Sequence, residues 1–242
     1  MNSMQTKKNK KKPVKISNNP LYSLPNLTES TKTMFIVGNG KVKNDITSII
    51  DRADIVIRFN DTDNYAENTG TKTTFWILSS NKFLINQHIS GSQTLGSNIK
   101  IATKEMIRNT QSLLFSIPPF YPVQPETQKN MFKRIVNEDR KERIEAVSNF
   151  LEHFEATKHP FRILEFPNRY VFDLAPQIWA PNWTCPSNGY LITRMFIDDA
   201  TYYRHKKYLV GFSWEGWEGH PWVLEKLCLE KMERENLITI LR

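Results

Sequence analysis

Short runs of β-branched and aromatic residues recur along this chain, each ending at a turn, and stretches with helical spacing lie between many of them. That alternation limits the fold more than any other feature of the sequence. "TMFIVG" at 33–38 is a continuous apolar run closed by a glycine, the pattern of a strand buried on both faces. "DIVIRFN" at 54–60 and "KTTFWIL" at 72–78 repeat it. Further strands are expected at 99–103 ("IKIAT"), 112–117 ("SLLFSI", stopped by Pro118 and Pro119), 161–166, 207–212 and 237–241. Helices are expected at 44–53, 131–156, 187–203 and 221–235, the first capped by Asn44 or Asp45 with Ile46, Ile49 and Ile50 along one side. In the long 131–156 stretch, Ile135, Ile144, Val147, Phe150, Leu151 and Phe154 make the apolar face and charged residues make the rest. Strand–helix alternation of this kind predicts an α/β fold: a Rossmann-like, mostly parallel sheet flanked by helices on both faces.

The chain has 242 residues, enough for one sizeable α/β domain and hardly for two. The net charge of +8 is uneven along it. Residues 1–32 hold seven lysines and a single acid, Glu29, which leaves 26 basic and 24 acidic residues in 33–242. The expected organisation is a Lys-rich disordered tail at 1–32 followed by one folded domain at 33–242. Because the basicity belongs to the tail, a nucleic-acid partner is not expected. Weak peripheral contact with an anionic membrane is open to such a tail. No apolar run approaches the ~20 residues that span a bilayer, and the N-terminus has no apolar signal-peptide core. A cytoplasmic protein is the expectation. Two cysteines, Cys185 and Cys228, imply no disulfide framework.

The first strand ends in Gly38-Asn39-Gly40. A Gly-x-Gly turn at a strand's carboxyl end leaves backbone N–H groups for a phosphate, with the positive end of the next helix beside them. A tight turn without a ligand fits the same residues. The dinucleotide fingerprint is incomplete, since its third glycine position holds Lys43 and the second strand ends in Asn60 rather than an acid. Arg58 and Asn60 stand at the carboxyl end of the second strand, the edge where open α/β sheets bind ligands. Ser187, Asn188 and Gly189 open a helix, either as a simple N-cap or as a second site for anions and hydroxyls. In "GHPWVLEK", Pro221 suits the first helical position, which makes His220 the expected N-cap. A positive helix end disfavours the imidazolium, so a neutral His220 is a candidate proton acceptor, and Glu225 either orients it or only favours the helix dipole. On these residues alone, a cap histidine and a base stand equal. Asp61 and Asp63 have the Asp-x-Asp spacing of a divalent-ion site, or of an acidic loop. His88, His153, His159 and His205 have no partners at metal spacing and read as packing or solvent residues.

Taken in order, these segments resemble glycosyltransferase family 29, the sialyltransferases. The family's large motif resembles "VGNGKVKNDITSIIDRADIVIRFNDTDNYAENTGTKTT", its small motif "PSNGYLIT", and its last motif His220 to Glu225. The resemblance implies a variant GT-A-like fold and inverting transfer of a sialic acid-type sugar from a CMP-sugar donor to a glycan hydroxyl, with no metal and no cofactor. It places Asn39 and Asn60 on the nucleotide and phosphate, Ser187, Asn188 and Gly189 on the CMP and the donor carboxylate, and His220 as the base. It leaves the third motif unmatched, with "WEGWEG" in its place, where Trp214 or Trp217 would wall the site or pack in the core. It pairs Cys185 with no large-motif cysteine, since Met34 and Phe35 stand there. With no membrane anchor in the sequence, it points to a soluble microbial-type or divergent member. Two other readings remain: a metal-dependent nucleotide-sugar transferase using Asp61 and Asp63, and a degenerate member that binds CMP or a glycan without turnover.

Overall fold

The computed structural model describes residues 32–61, 63–91, 102–117, 140–166, 186–216 and 220–242. Their strands form one seven-stranded sheet in the order β5-β4-β3-β2-β1-β6-β7, with every neighbouring pair parallel. The strands are β1 Thr33–Val37, β2 Ile55–Phe59, β3 Thr73–Ser79, β4 Thr110–Ile117, β5 Phe161–Glu165, β6 Lys206–Val210 and β7 Thr239–Leu241. β1 is central, pairing with β2 on one side and with β6 on the other. The Rossmann-like α/β expectation is met.

Alternation along the strands sends successive side chains to opposite faces. Met34, Ile36, Ile57, Phe75, Ile77 and Leu209 bury one face beneath α5 (Asn188–Asp198) and α6 (Trp222–Arg234). Trp76, Leu78, Leu113 and Phe115 bury the other beneath α2 (Lys82–Ser90), α3 (Lys104–Asn109) and α4 (Arg140–His153). On the same side, Phe35, Val37, Val56 and Val210 meet Ile50 and Ala53, next to the single helical turn α1 (Thr47–Ile50).

Several expectations need correction. The 44–53 helix shrinks to α1, where Ile46 holds the cap position and Asp45 Oδ1 accepts the Thr47 N–H at 2.9 Å. Ile49 faces outward at 52% exposure, not inward with Ile50. Of the strand expected at 99–103, residues 99–101 lie outside the described residues, and Thr103 caps α3 by accepting the Met106 N–H. Helix α2 was not anticipated, although its signals are present. Asn81 Oδ1 accepts the Phe83 and Leu84 N–H groups, and Gly91 closes the helix at φ 66°. In α4 the buried line runs through Arg143, Ala146, Val147 and Phe150, while Ile144 is only half-buried. The helix expected over 187–203 ends at Asp198 and gives way to a 3-10 turn, Ala200–Tyr202. The 1–31 part of the tail, Pro118, Pro119, Ile135, Cys185 and Trp217 lie outside the described residues.

His88 is a packing residue, as expected. It is 3% exposed, its ring meets Trp76 and Phe150 edge-on, and Nδ1 accepts the Ala102 N–H at 3.2 Å. Burial pushes its pKa down to about 4. A depressed histidine favours the native state while it is neutral, and that contribution is lost as pH falls through the unfolded value toward the folded one. Between pH 7 and 5, His88 alone should therefore remove roughly 2 kcal/mol of stability. Urea unfolding at both pH values, on the wild type and His88→Leu, tests this. The variant should be less stable at pH 7 but show a flatter fall toward pH 5.

Candidate active site

In the strand order, β2 to β5 extend to one side of β1, and β6 and β7 to the other. The chain therefore crosses over between β5 and β6, and the carboxyl ends of β1 and β6 flank the topological switch point where such sheets bind ligands. Gly38-Asn39-Gly40 follows β1 there, and 211–214 follows β6.

The two segments touch backbone to backbone. The Gly38 N–H donates to Val210 O at 2.8 Å and the Gly40 N–H to Gly211 O at 2.7 Å. The carbonyls of Gly38 and Gly40 both accept from Asn64 Nδ2, at 2.7 and 2.8 Å. A Cβ on Gly38 would stand 2.4 Å from Gly211 O, and Gly211 itself has φ 70°. These glycines serve close approach, and the N–H groups expected to be free for a phosphate at Gly38 and Gly40 are already used. The turn instead presents Asn39, whose Oδ1 is buried without a hydrogen-bond partner. A buried acceptor left unmet costs free energy until a donor reaches it.

Asn60 follows β2 in a left-handed conformation, φ 38°, that non-glycine residues adopt at a cost. Its position is held three ways: its N–H donates to Ile77 O, its carbonyl accepts from Trp76 Nε1, and its Oδ1 accepts the Ser79 N–H at 2.9 Å. Nδ2 is the half of the amide these contacts leave over. Arg58 does not reach the cleft. It is fully buried, and its guanidinium donates to Thr69 Oγ1, Thr69 O, Gly70 O, Lys72 O and Thr73 Oγ1. Burial lowers its pKa to about 10, so it stays charged at neutral pH, and its work is to shape the 69–73 loop.

Ser187 caps α5, its Oγ accepting the Tyr190 N–H at 3.2 Å. The same residue is clasped by Glu225 from α6. Glu225 Oε1 accepts the Ser187 N–H and Oε2 accepts the Ser187 hydroxyl, both at 2.6 Å. This is the logic of a capping box with the carboxylate supplied by a different helix. Glu225 is 1% exposed, and burial pushes its pKa up to about 7 against the pull of the Ser187 bonds. Both of its oxygens serve Ser187, so the orienting role toward His220 is replaced by a bond between two site segments. Asn188 Oδ1 lies 3.3 Å from the Ser116 hydroxyl at the end of β4. Gly189 faces Phe212, whose ring would be 3.3 Å from an added Cβ.

Phe212 escaped the sequence reading. Its ring lies against Gly38 and Gly189 and meets Phe59 edge-on and Trp214 at a tilt, so it joins the ends of β1 and β2 to the start of α5. Trp214, at φ 59°, packs against the core while remaining half-buried. His220 stands one residue further from α6 than expected: Pro221 is the cap, and the His220 carbonyl accepts the Trp222 N–H at 2.9 Å. The imidazole is half-buried, edge-on to the Trp222 ring at 5.0 Å. Asp61 is pushed up to about 6, first by burial and then by the Asp63 carboxylate. No group of three metal-ligating side chains occurs among the described residues.

A parallel Rossmann-like sheet with glycines, amides and two helix starts gathered at its switch point is the setting in which open α/β proteins bind ligands. Residues 2–116, a stretch that carries β1 to β4, match glycosyltransferase family 29 (sialyltransferase). No curated protein matches the chain. No helix among the described residues is long and apolar enough to cross a membrane.

Three substitutions test this construction. Gly38→Ala forces a methyl into Gly211 O and should cost about 2–3 kcal/mol in unfolding free energy. Glu225→Ala leaves buried donors unmet and should cost a similar ~1–3 kcal/mol. Because the Glu225 pKa is raised, its contribution is fully present below the unfolded value and is lost as pH rises toward 7. Glu225→Gln should abolish that fall between pH 4.5 and 7 in denaturant titrations.

Proposed function

We propose that the protein is an inverting, metal-independent glycosyltransferase that moves a sialic acid-type sugar from a CMP-sugar donor to a glycan hydroxyl. The observation that carries this reading is the family match over 2–116, whose glycine loop meets the starts of α5 and α6 at the switch point through Phe212 and the Glu225–Ser187 clasp. The family match supports a nucleotide-sugar donor and a glycan acceptor. The CMP moiety, the stereochemistry and the independence from metal are part of the proposal.

In this reading the unmet Asn39 Oδ1 accepts a hydrogen bond from the nucleotide. Asn60 Nδ2 donates to it from the end of β2. The first turn of α5, an eleven-residue helix, directs N–H groups and a positive dipole end at the donor's anionic groups. His220 takes the proton from the acceptor hydroxyl. The freed oxygen attacks the anomeric carbon as its bond to the CMP phosphate breaks. The leaving phosphate's charge is held by donors already in place, so no reorganisation is needed at the moment of reaction. Displacement from the opposite side inverts the anomeric centre.

The test is release of CMP from CMP-sialic acid and from CMP-Kdo, with and without a panel of glycan acceptors. His220→Ala should lose roughly 100- to 10,000-fold in transfer while binding CMP within a few-fold of wild type by calorimetry. Transfer at a near wild-type rate in that variant would reject His220 as the base. The Asp61–Asp63 pair, close enough for mutual repulsion to raise Asp61, sustains a second reading of metal-dependent transfer, and abolition of activity by chelator would favour it. CMP binding without turnover across the whole panel would indicate a non-catalytic member.

A further inference from the structure

Parallel sheets are almost always covered on both faces. Over β1, β6 and β7, the face opposite α5 and α6 bears a groove of about 420 Å³ lined by Phe35, Ile49, Arg52, Ala53, Tyr208 and Leu241, with Thr33 at its end. Its floor is aromatic, with the Phe35 and Tyr208 rings stacked at 4.9 Å. Its rim is apolar and open: Ile49 is 52% exposed and Leu241 37%. The open apolar side chains of Ile49 and Leu241 leave room for an occupant above the ring floor.

We propose that residues 20–27 of this same chain, "PLYSLPNL", lie in that groove. The point of attachment is the first argument. The chain enters the fold at the groove's own end, where Lys32 O accepts the Lys206 N–H and Asp54 Oδ2 accepts the Thr33 N–H, each at 2.8 Å. Residues 28–32 then span up to roughly 17 Å when extended, about the length of a five-residue strand. The segment can double back along the groove, and so short a tether holds it at an effective concentration on the order of millimolar. Composition is the second argument. Leu21, Tyr22, Leu24 and Leu27 supply apolar side chains, while Pro20 and Pro25 disfavour a helix and suit an extended run over a sheet. Charge is the third. Glu29, the sole acid in residues 1–32, falls in sequence between the segment and β1, and its charge is complementary to that of Arg52 at the groove. A second copy fits less well, because a two-fold contact through this groove would bring two Arg52 side chains and two Lys-rich tails together.

Hydrogen exchange on the full chain tests the proposal. Amides of residues 20–31 should exchange at least tenfold more slowly than an unstructured peptide, at a rate independent of protein concentration. Ile49→Asp, a change at an exposed position, should abolish that protection and leave β2 and β3 unaffected. The Leu24→Asp/Leu27→Asp double variant, altered outside the sheet, should do the same and increase binding of an apolar dye. Exchange of 20–31 at the unstructured rate in the wild type would overturn the proposal. So would protection that grows with protein concentration alongside a dimer that Ile49→Asp dissociates and the tail variant does not.

Discussion

The backbone contact between Gly38, Gly40 and Gly211 is the constraint on which the rest of the cleft depends. Each N–H of the first two glycines is spent on the end of β6, and each of their carbonyls on Asn64. Any side chain at Gly38 would collide with the Gly211 carbonyl. The contact brings the carboxyl ends of β1 and β6 together at the point where the sheet order reverses. Asn39 is thereby held with a buried, unmet acceptor, and Phe212 is placed to reach α5.

Around that contact, the residues that define the cleft are arranged by polar groups used internally. Arg58 and Asn64 organise the loop after β2, and Ser79 fixes the Asn60 amide. Glu225 ties the start of α5 to the helix that follows His220. Arg58, Ser187 and Glu225, which look functional in the sequence, therefore have their polar groups spent within the scaffold. Asn39 Oδ1 and Asn60 Nδ2 are left over from these pairings and have the capacity to meet a ligand.

Strand positions were legible because buried parallel strands read as continuous β-branched runs, and β1, β2 and β3 are of that kind. Helix α2 was not, because Phe83 points outward at 60% exposure and blurs the apolar stripe even though Asn81 and Gly91 mark both ends. Proline has no N–H to lose at either the cap or the first helical position, so local rules left His220 one place too close to α6. The resemblance singled out segments that meet at the switch point. What it left open was which groups there are free, because that depends on pairings distant in sequence: β1 with β6, and Ser187 with Glu225 across 38 positions.

The order of the strands also bears on how the chain comes to fold. β1 is made first among the strands but sits in the middle of the sheet, and its second neighbour, β6, spans Lys206–Val210. Until that late segment emerges during synthesis, β1 keeps one unpaired edge of N–H and C=O groups, the kind of edge on which other strands add. The glycine turn, Phe212 and the Glu225 clasp wait on the same late segment, residues 206–225. A nascent chain therefore carries most of its apolar core before it can close its centre, and the cleft is among the last parts to take shape.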